Sequence, residues 1–147
     1  MIFTNQDKRV LESDVTAIET ELRIRFPEPL RKLFVENNGG EPEPYVYQDD
    51  SLSTVVSETL PLISDSGRGT AVDTYNNLVV KKRLVGSNFF PFAVDAGGDY
   101  FFVDCSSDNA DVYFFRSDTY PDLSKGLMNL KIGLDAFWLV LKLEERA

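Results

Sequence analysis

Between Phe89 and Phe115 the chain holds three apolar runs with almost no polar residue inside them. They are Phe89-Phe90-Pro91-Phe92-Ala93-Val94, Tyr100-Phe101-Phe102-Val103 and Val112-Tyr113-Phe114-Phe115. Each is short, rich in aromatic and β-branched residues, and bounded by turn formers, so each reads as a strand. A strand with one wet face alternates apolar and polar residues, whereas an unbroken run is covered on both faces. Asp95-Ala96-Gly97-Gly98-Asp99 reads as a turn: its glycines supply positive φ and its aspartates accept from backbone amides. The second and third runs then pair as a hairpin around residues 106–111. Such a sheet needs helices laid on it.

Helical spacing supplies them. Leu11, Val15, Ile18 and Leu22 share a face and predict a helix over 14–25, with Ser13 as N-cap and Asp14 at the positive end of the dipole. Pro27 and Pro29 interrupt the pattern. A second helix starts near Pro29, faces inward with Leu30, Leu33 and Phe34, and stops at Asn37-Asn38-Gly39-Gly40. A third is predicted over 71–83, capped by Thr70, with Val72, Tyr75, Leu78 and Val79 inside. A fourth is predicted over 134–145, with Leu134, Phe137, Trp138 and Leu141 as its face. Residues 45–47 and 54–56 read as short strands, with 60–63 an edge extension because of Pro61. The expected fold class is α+β: a mostly antiparallel twisted sheet packed with about four helices, forming one domain over residues 1–147.

Charge and residue usage narrow the function. The chain has 15 Lys and Arg against 24 Asp and Glu, a net −9. Residues 41–67 carry Glu41, Glu43, Asp49, Asp50, Glu58 and Asp65 with no base. Residues 84–124 carry Asp95, Asp99, Asp104, Asp108, Asp111, Asp118 and Asp122 against Arg116 alone. A phosphate-backbone binder shows the reverse pattern, so no direct nucleic-acid contact is expected and a basic protein partner is. The 147 residues include no histidine and one cysteine, Cys105. That removes the commonest general base and every Ser-His or Cys-His pair, and leaves no ligand set for zinc. No cofactor, metal or catalytic residue is expected. Cys105 follows an apolar strand and reads as a buried, reduced thiol, which points to the cytoplasm. No apolar run approaches the roughly 18–20 residues that span a bilayer, and residues 1–7 lack the pattern of a signal peptide.

Two stretches together resemble the SUKH superfamily, in its branch related to fungal cell-wall assembly regulators. The first runs from Ile18-Glu19 through Leu22, Phe26-Pro27, Leu30 and Phe34 to Asn38-Gly39-Gly40. The second is Pro91-Phe92-Ala93-Val94-Asp95-Ala96-Gly97-Gly98-Asp99, continuing through Phe102 to Asp104. Leu134 and Phe137-Trp138 fall where that family places its last amphipathic helix. Arg23 departs from the pattern, standing where a glycine is common, as do Phe26 for a leucine and Gly133 for a serine cap. The resemblance implies a SUKH-like fold and a non-enzymatic domain. Bacterial members resemble immunity proteins that bind a toxin domain, often a nuclease, of polymorphic-toxin or contact-dependent inhibition systems; fungal members are regulatory scaffolds. It transfers no catalytic residue. Its motif positions (Glu19, Pro27, Gly39, Gly40, Pro91, Phe92, Asp95, Gly97, Gly98, Asp99 and Asp104) are expected to build turns and helix ends.

The leading interface candidate is residues 41–50, with Glu41, Glu43, Tyr45, Tyr47, Asp49 and Asp50: tyrosine anchors among carboxylates suit a basic, partly apolar partner. A solvated loop followed by an edge strand reads equally well there. Residues 104–111 miss the calcium-loop pattern, having no central Gly and no closing Glu. Residues 66–70 lack the spacing and lysine of a phosphate-binding loop. A carboxylate enzyme would need a pair among Asp95, Asp99, Asp104 and Asp111.

Overall fold

The computed structural model describes residues 1–117 and 126–143. Asp118 and Asp122, and the predicted helix end at Glu145, lie outside them. The elements are β1 (Ile2–Thr4), α1 (Glu12–Leu22), α2 (Glu28–Glu36), β2 (Glu41–Glu43), β3 (Val46–Gln48) and β4 (Ser53–Thr59). After these come α3 (Ala71–Tyr75), β5 (Phe89–Asp95), β6 (Tyr100–Asp104), β7 (Asp111–Phe115), β8 (Leu127–Gly133) and α4 (Leu134–Val140). The fold is α+β, with a six-stranded sheet in the order β3-β4-β5-β6-β7-β8 and a two-stranded ribbon, β1-β2. Every neighbouring pair is antiparallel.

The three apolar runs are β5, β6 and β7, and β6 pairs with β7 as the expected hairpin, from Tyr100 opposite Phe115 to Val103 opposite Val112. Phe101, Phe102 and Val103 are consecutive and all at most 1% exposed. Successive side chains on a strand point to opposite faces, so β6 is covered on both. In β5 a register shift between Pro91 and Ala93 accommodates the proline, which has no N–H for the ladder. Around it Phe90 meets Phe26, Phe34 and Tyr75, while Phe92 meets Phe137 and Trp138.

Helix boundaries differ from the expectation, each for a local reason. α1 begins at Glu12, so Ser13 is inside the first turn and not the cap; the Asp14 carboxylate accepts from the Leu11 N–H at 2.9 Å instead. It stops at Leu22 because Arg23 adopts φ 55°, the left-handed conformation. The position where the SUKH pattern favours glycine is therefore the one that needs it. A non-glycine residue there costs about 1–2 kcal/mol and glycine's extra chain entropy offsets part of that. Arg23→Gly is expected to stabilise the protein by about 0.5–1 kcal/mol, read as a higher urea midpoint.

The third helix is split. α3 is capped by Thr70, whose hydroxyl accepts from the Asp73 N–H, and then widens into a π-helical turn over Asn76–Lys81. The Leu84 N–H closes onto the Leu78 carbonyl over Arg83, which has φ 54° and ends the helix. The fourth helix ends at Val140, five residues before the prediction. Leu141 turns extended, and Lys142 exchanges two backbone hydrogen bonds with Val46, at 2.8 and 2.9 Å. Three strands were absent from the expectation: β1, β2 and β8.

Residues 40–48 form one broken edge of the sheet. Gly40 bridges Thr59 and β3 pairs with β4, while between them β2 turns aside to pair with β1. β1 thus covers one half of this edge and Lys142 the other, which blunts it against stray pairing.

Candidate partner-binding surface

The structure separates the residues of the 41–50 segment. In β2 Glu41 and Glu43 are exposed on either side of the buried Pro42, opposite Thr4 and Ile2 of β1. Tyr45 is half-buried. Tyr47 is not at the surface: it is 3% exposed and stacks on Phe137, with ring centroids 5.5 Å apart. Its hydroxyl donates to Asp49 Oδ2 at 2.6 Å. That hydrogen bond holds the Asp49 carboxyl below its usual range, and burial beside the carboxylate pushes the Tyr47 phenol up. Asp49 Oδ1 also accepts from the Ser51 and Leu52 N–H groups, so Asp49 builds the β3–β4 turn. Asp50 is exposed. The charges this segment presents outward are Glu41, Glu43, Asp49 and Asp50, of which the Asp49 carboxylate is held by its turn.

The family-motif residues are engaged in the framework. Glu19 accepts from the Phe26 N–H at 2.7 Å and pairs with Arg31, tying α1 to the start of α2. Pro27 is buried, and its carbonyl receives the N–H groups of Leu30 and Arg31. At Gly39, φ is 71° and an added Cβ would stand 3.0 Å from Pro61; at Gly40 it would stand 2.9 Å from the Thr4 carbonyl oxygen. Asp95 Oδ1 accepts from the Gly97 and Asp99 N–H groups, and Oδ2 from the Thr54 hydroxyl at 2.8 Å. In the same turn Gly98 takes φ 89°. Asp104 accepts from Asn88 and from the amide and hydroxyl of Ser106. Pro91 and Phe92 are core.

Among the described residues the two acidic stretches meet only in part. Asp49, Asp50, Asp95 and Asp99 gather at one end of the sheet, where Thr54 reaches Asp95 and the Ser117 N–H reaches Asp99 Oδ1 at 3.4 Å. Asp104, Asp108 and Asp111 sit around the β6–β7 hairpin at the other end. The length of β5 separates the two, about 17–20 Å at the usual rise per residue. Beside that hairpin, burial pushes the Cys105 thiol up to about 12, with the Asp104 and Glu19 charges adding to it.

Asp7 has no sequence signal and proves to be a hub. Its carboxylate accepts from the Ser64 and Ser66 hydroxyls and from the Lys8 and Asp65 N–H groups, and Arg68 stands 3.7 Å away. The Ser64 hydrogen bond is the largest influence, and together these bonds hold the Asp7 carboxyl far below its usual range. A depressed native pKa gives stability that is present above the unfolded value and lost as pH falls towards the native one. The urea midpoint is expected to fall as pH drops below about 4. Asp7→Asn should be less stable at pH 7 and show a flatter acid limb. Equal pH dependence in the two proteins would contradict this role.

A surface that sequence reading missed lies on β1 and α4. Leu139 is 84% exposed, Ile2 65%, Leu143 56%, Val140 48% and Met1 46%. The two elements touch, since the rings of Phe3 and Trp138 meet edge-on at 5.2 Å. In α4 the inward positions are Leu134 and Phe137, so Asp135, Ala136, Leu139 and Val140 are left facing solvent. Between β1, α2 and α4 lies a hollow of about 440 Å³. Phe3, Leu33 and Trp138 give it apolar walls, and Lys32, Glu36 and Asp135 stand at its margin. The carboxylates of Glu36, Glu43 and Asp135 have no hydrogen bond or ion pair among the described residues. An exposed apolar helix face beside unpaired carboxylates makes this a candidate interaction surface.

Residues 9–128 match the family model of the SMI1/KNR4 family (SUKH-1). The chain belongs to that family. Comparison with curated proteins and with solved structures yields no match. SUKH-1 proteins are in general non-enzymatic immunity or regulatory proteins, and the family points to a role in protein–protein interaction. The matched span of this SUKH-1 protein holds α1 to α3 and β2 to β7; β1 and α4, which carry the exposed apolar surface, lie outside it. Among the described residues no helix is long and apolar enough to cross a membrane.

Proposed function

We propose that this SUKH-1 protein is a cytoplasmic immunity protein that acts without catalysis. Residues 1–147 work as one domain that binds and neutralises a cognate toxin domain of a polymorphic-toxin or contact-dependent inhibition system. The observation that carries this is the family match over residues 9–128. The geometry supports a binding role: the motif carboxylates are spent on turns and helix ends, while Glu41, Glu43 and Asp50 face outward. A net charge of −9 suits a basic target such as a nuclease, because opposite charge speeds encounter and disfavours wrong partners. The complex needs no cofactor.

Co-expression tests the proposal. The toxin to test is the variable C-terminal domain of a secreted protein, if one is encoded beside this gene. Cells making both chains should survive, and the two should elute together from a sizing column. Continued killing with separate elution sinks the reading. Survival of the pair without a complex, together with pull-down of cell-wall or signalling regulators, favours a regulatory scaffold instead.

A further inference from the structure

We infer that the outer face of α4 and the β1–β2 ribbon together form the docking surface. Its occupant is a basic partner domain that presents apolar side chains flanked by Lys or Arg. The inference rests on the protein-binding role proposed above and adds to it where binding occurs and what chemistry is recognised.

Three observations carry it. Among the described residues, five of the seven large hydrophobic side chains that are strongly exposed are Met1, Ile2 of β1, Leu139 and Val140 of α4, and Leu143 just after it. Leaving Leu139 at 84% exposure on a helix that could turn a polar residue outward is unfavourable for the free protein, and covering it repays that. The second observation is charge. Glu36, Glu41, Glu43 and Asp135 rim the surface against Lys32, Lys142 and the Met1 ammonium, and among the described residues only the Glu41 carboxylate of these four has a partner, the Asn5 side chain. A second copy of this chain would set like charges face to face, and an anionic lipid surface would be repelled, whereas a basic protein meets its complement. The third is placement. β1 and α4, which supply the apolar part of the surface, lie outside the matched family span of residues 9–128, while β2 and the acidic rim of Glu36, Glu41 and Glu43 lie inside it.

The hollow beside α4 specifies one contact further. Its 440 Å³ accepts one long basic side chain. The stem would lie against Phe3 and Trp138 and the cationic head would sit between Glu36 and Asp135, combining cation–π attraction with charge-assisted hydrogen bonds.

Calorimetric titration of the adjacent-gene toxin domain into the wild type, Leu139→Glu and Val80→Glu tests this. Val80 is the control, 57% exposed on the π-helical turn away from the surface. Because Leu139 is solvent-facing, Leu139→Glu should fold as the wild type does, checked by its urea midpoint. It should weaken binding at least ~100-fold while Val80→Glu changes it less than about 3-fold. Binding by Leu139→Glu equal to the wild type overturns the surface and leaves the proposed function standing. No binding by the wild type sinks the proposed function, and this occupant with it. Wild-type dimers that Leu139→Glu abolishes would make a second copy the occupant and overturn the inference.

Discussion

Asn38→Ala is expected to destabilise the protein by about 3–5 kcal/mol. Asn38 is 3% exposed. Its amide donates to the Lys8 and Ile63 carbonyls at 2.7 and 2.8 Å, and its oxygen accepts from the Leu62 N–H at 2.6 Å. Its own carbonyl receives the Asp7 N–H at 2.9 Å. The side chain thus ties the segment before α1 and the chain after β4 to the end of α2. Alanine leaves one buried and two part-buried backbone groups without these partners, and each costs roughly 1–3 kcal/mol, less where water can enter. With a urea slope of about 1–3 kcal/mol per M, the midpoint should fall by about 2 M. Asn38→Asp should not rescue it, because a carboxylate keeps the acceptor and faces two carbonyls. A loss below about 1 kcal/mol would show that these segments hold together without the side chain.

Phe137→Ala is expected to cost about 3–5 kcal/mol. Phe137 is fully buried and its ring meets those of Tyr47, Phe92, Phe101 and Trp138, at centroid distances of 5.2–5.8 Å. Removing it opens a cavity at the centre of the aromatic cluster that packs α4 onto the sheet. Truncating a neighbour such as Leu139, which is exposed, should leave stability within about 0.5 kcal/mol. Phe137→Ala should therefore lower the urea midpoint and the hydrogen-exchange protection of α4, and weaken partner binding as a consequence. Leu139→Glu should lower binding alone. If both variants lose binding with stability unchanged, Phe137 is not the anchor described.

What could be read before any coordinates divides along a physical line. The three apolar runs and the Asp95–Asp99 turn were legible because their signals are local: period, composition and glycine at positive φ. The helix faces of Leu30, Leu33 and Phe34, and of Leu134 and Phe137, were legible for the same reason. The misses are tertiary. Leu141-Lys142-Leu143 reads as continuing helix, but two backbone bonds from Lys142 to Val46 win. Glu41-Pro42-Glu43 has no strand propensity and forms β2 only because it lies against β1. Tyr45 and Tyr47 look alike in the chain; pairing across the sheet puts Tyr47 in the core. The exposed face of α4 was hidden because the apolar residues Leu139 and Val140 look like core until the packed face of the helix is known.

The central claim is that this protein works by occupying its partner. Residual toxin activity, measured while the protein is added in increasing amounts to a fixed amount of toxin domain, tests it most directly. Occupancy predicts a linear fall that reaches completion at one chain per toxin, with activity returning when the complex is dissociated. Complete loss at a small fraction of one equivalent, persisting after dissociation, would reveal turnover and contradict the account.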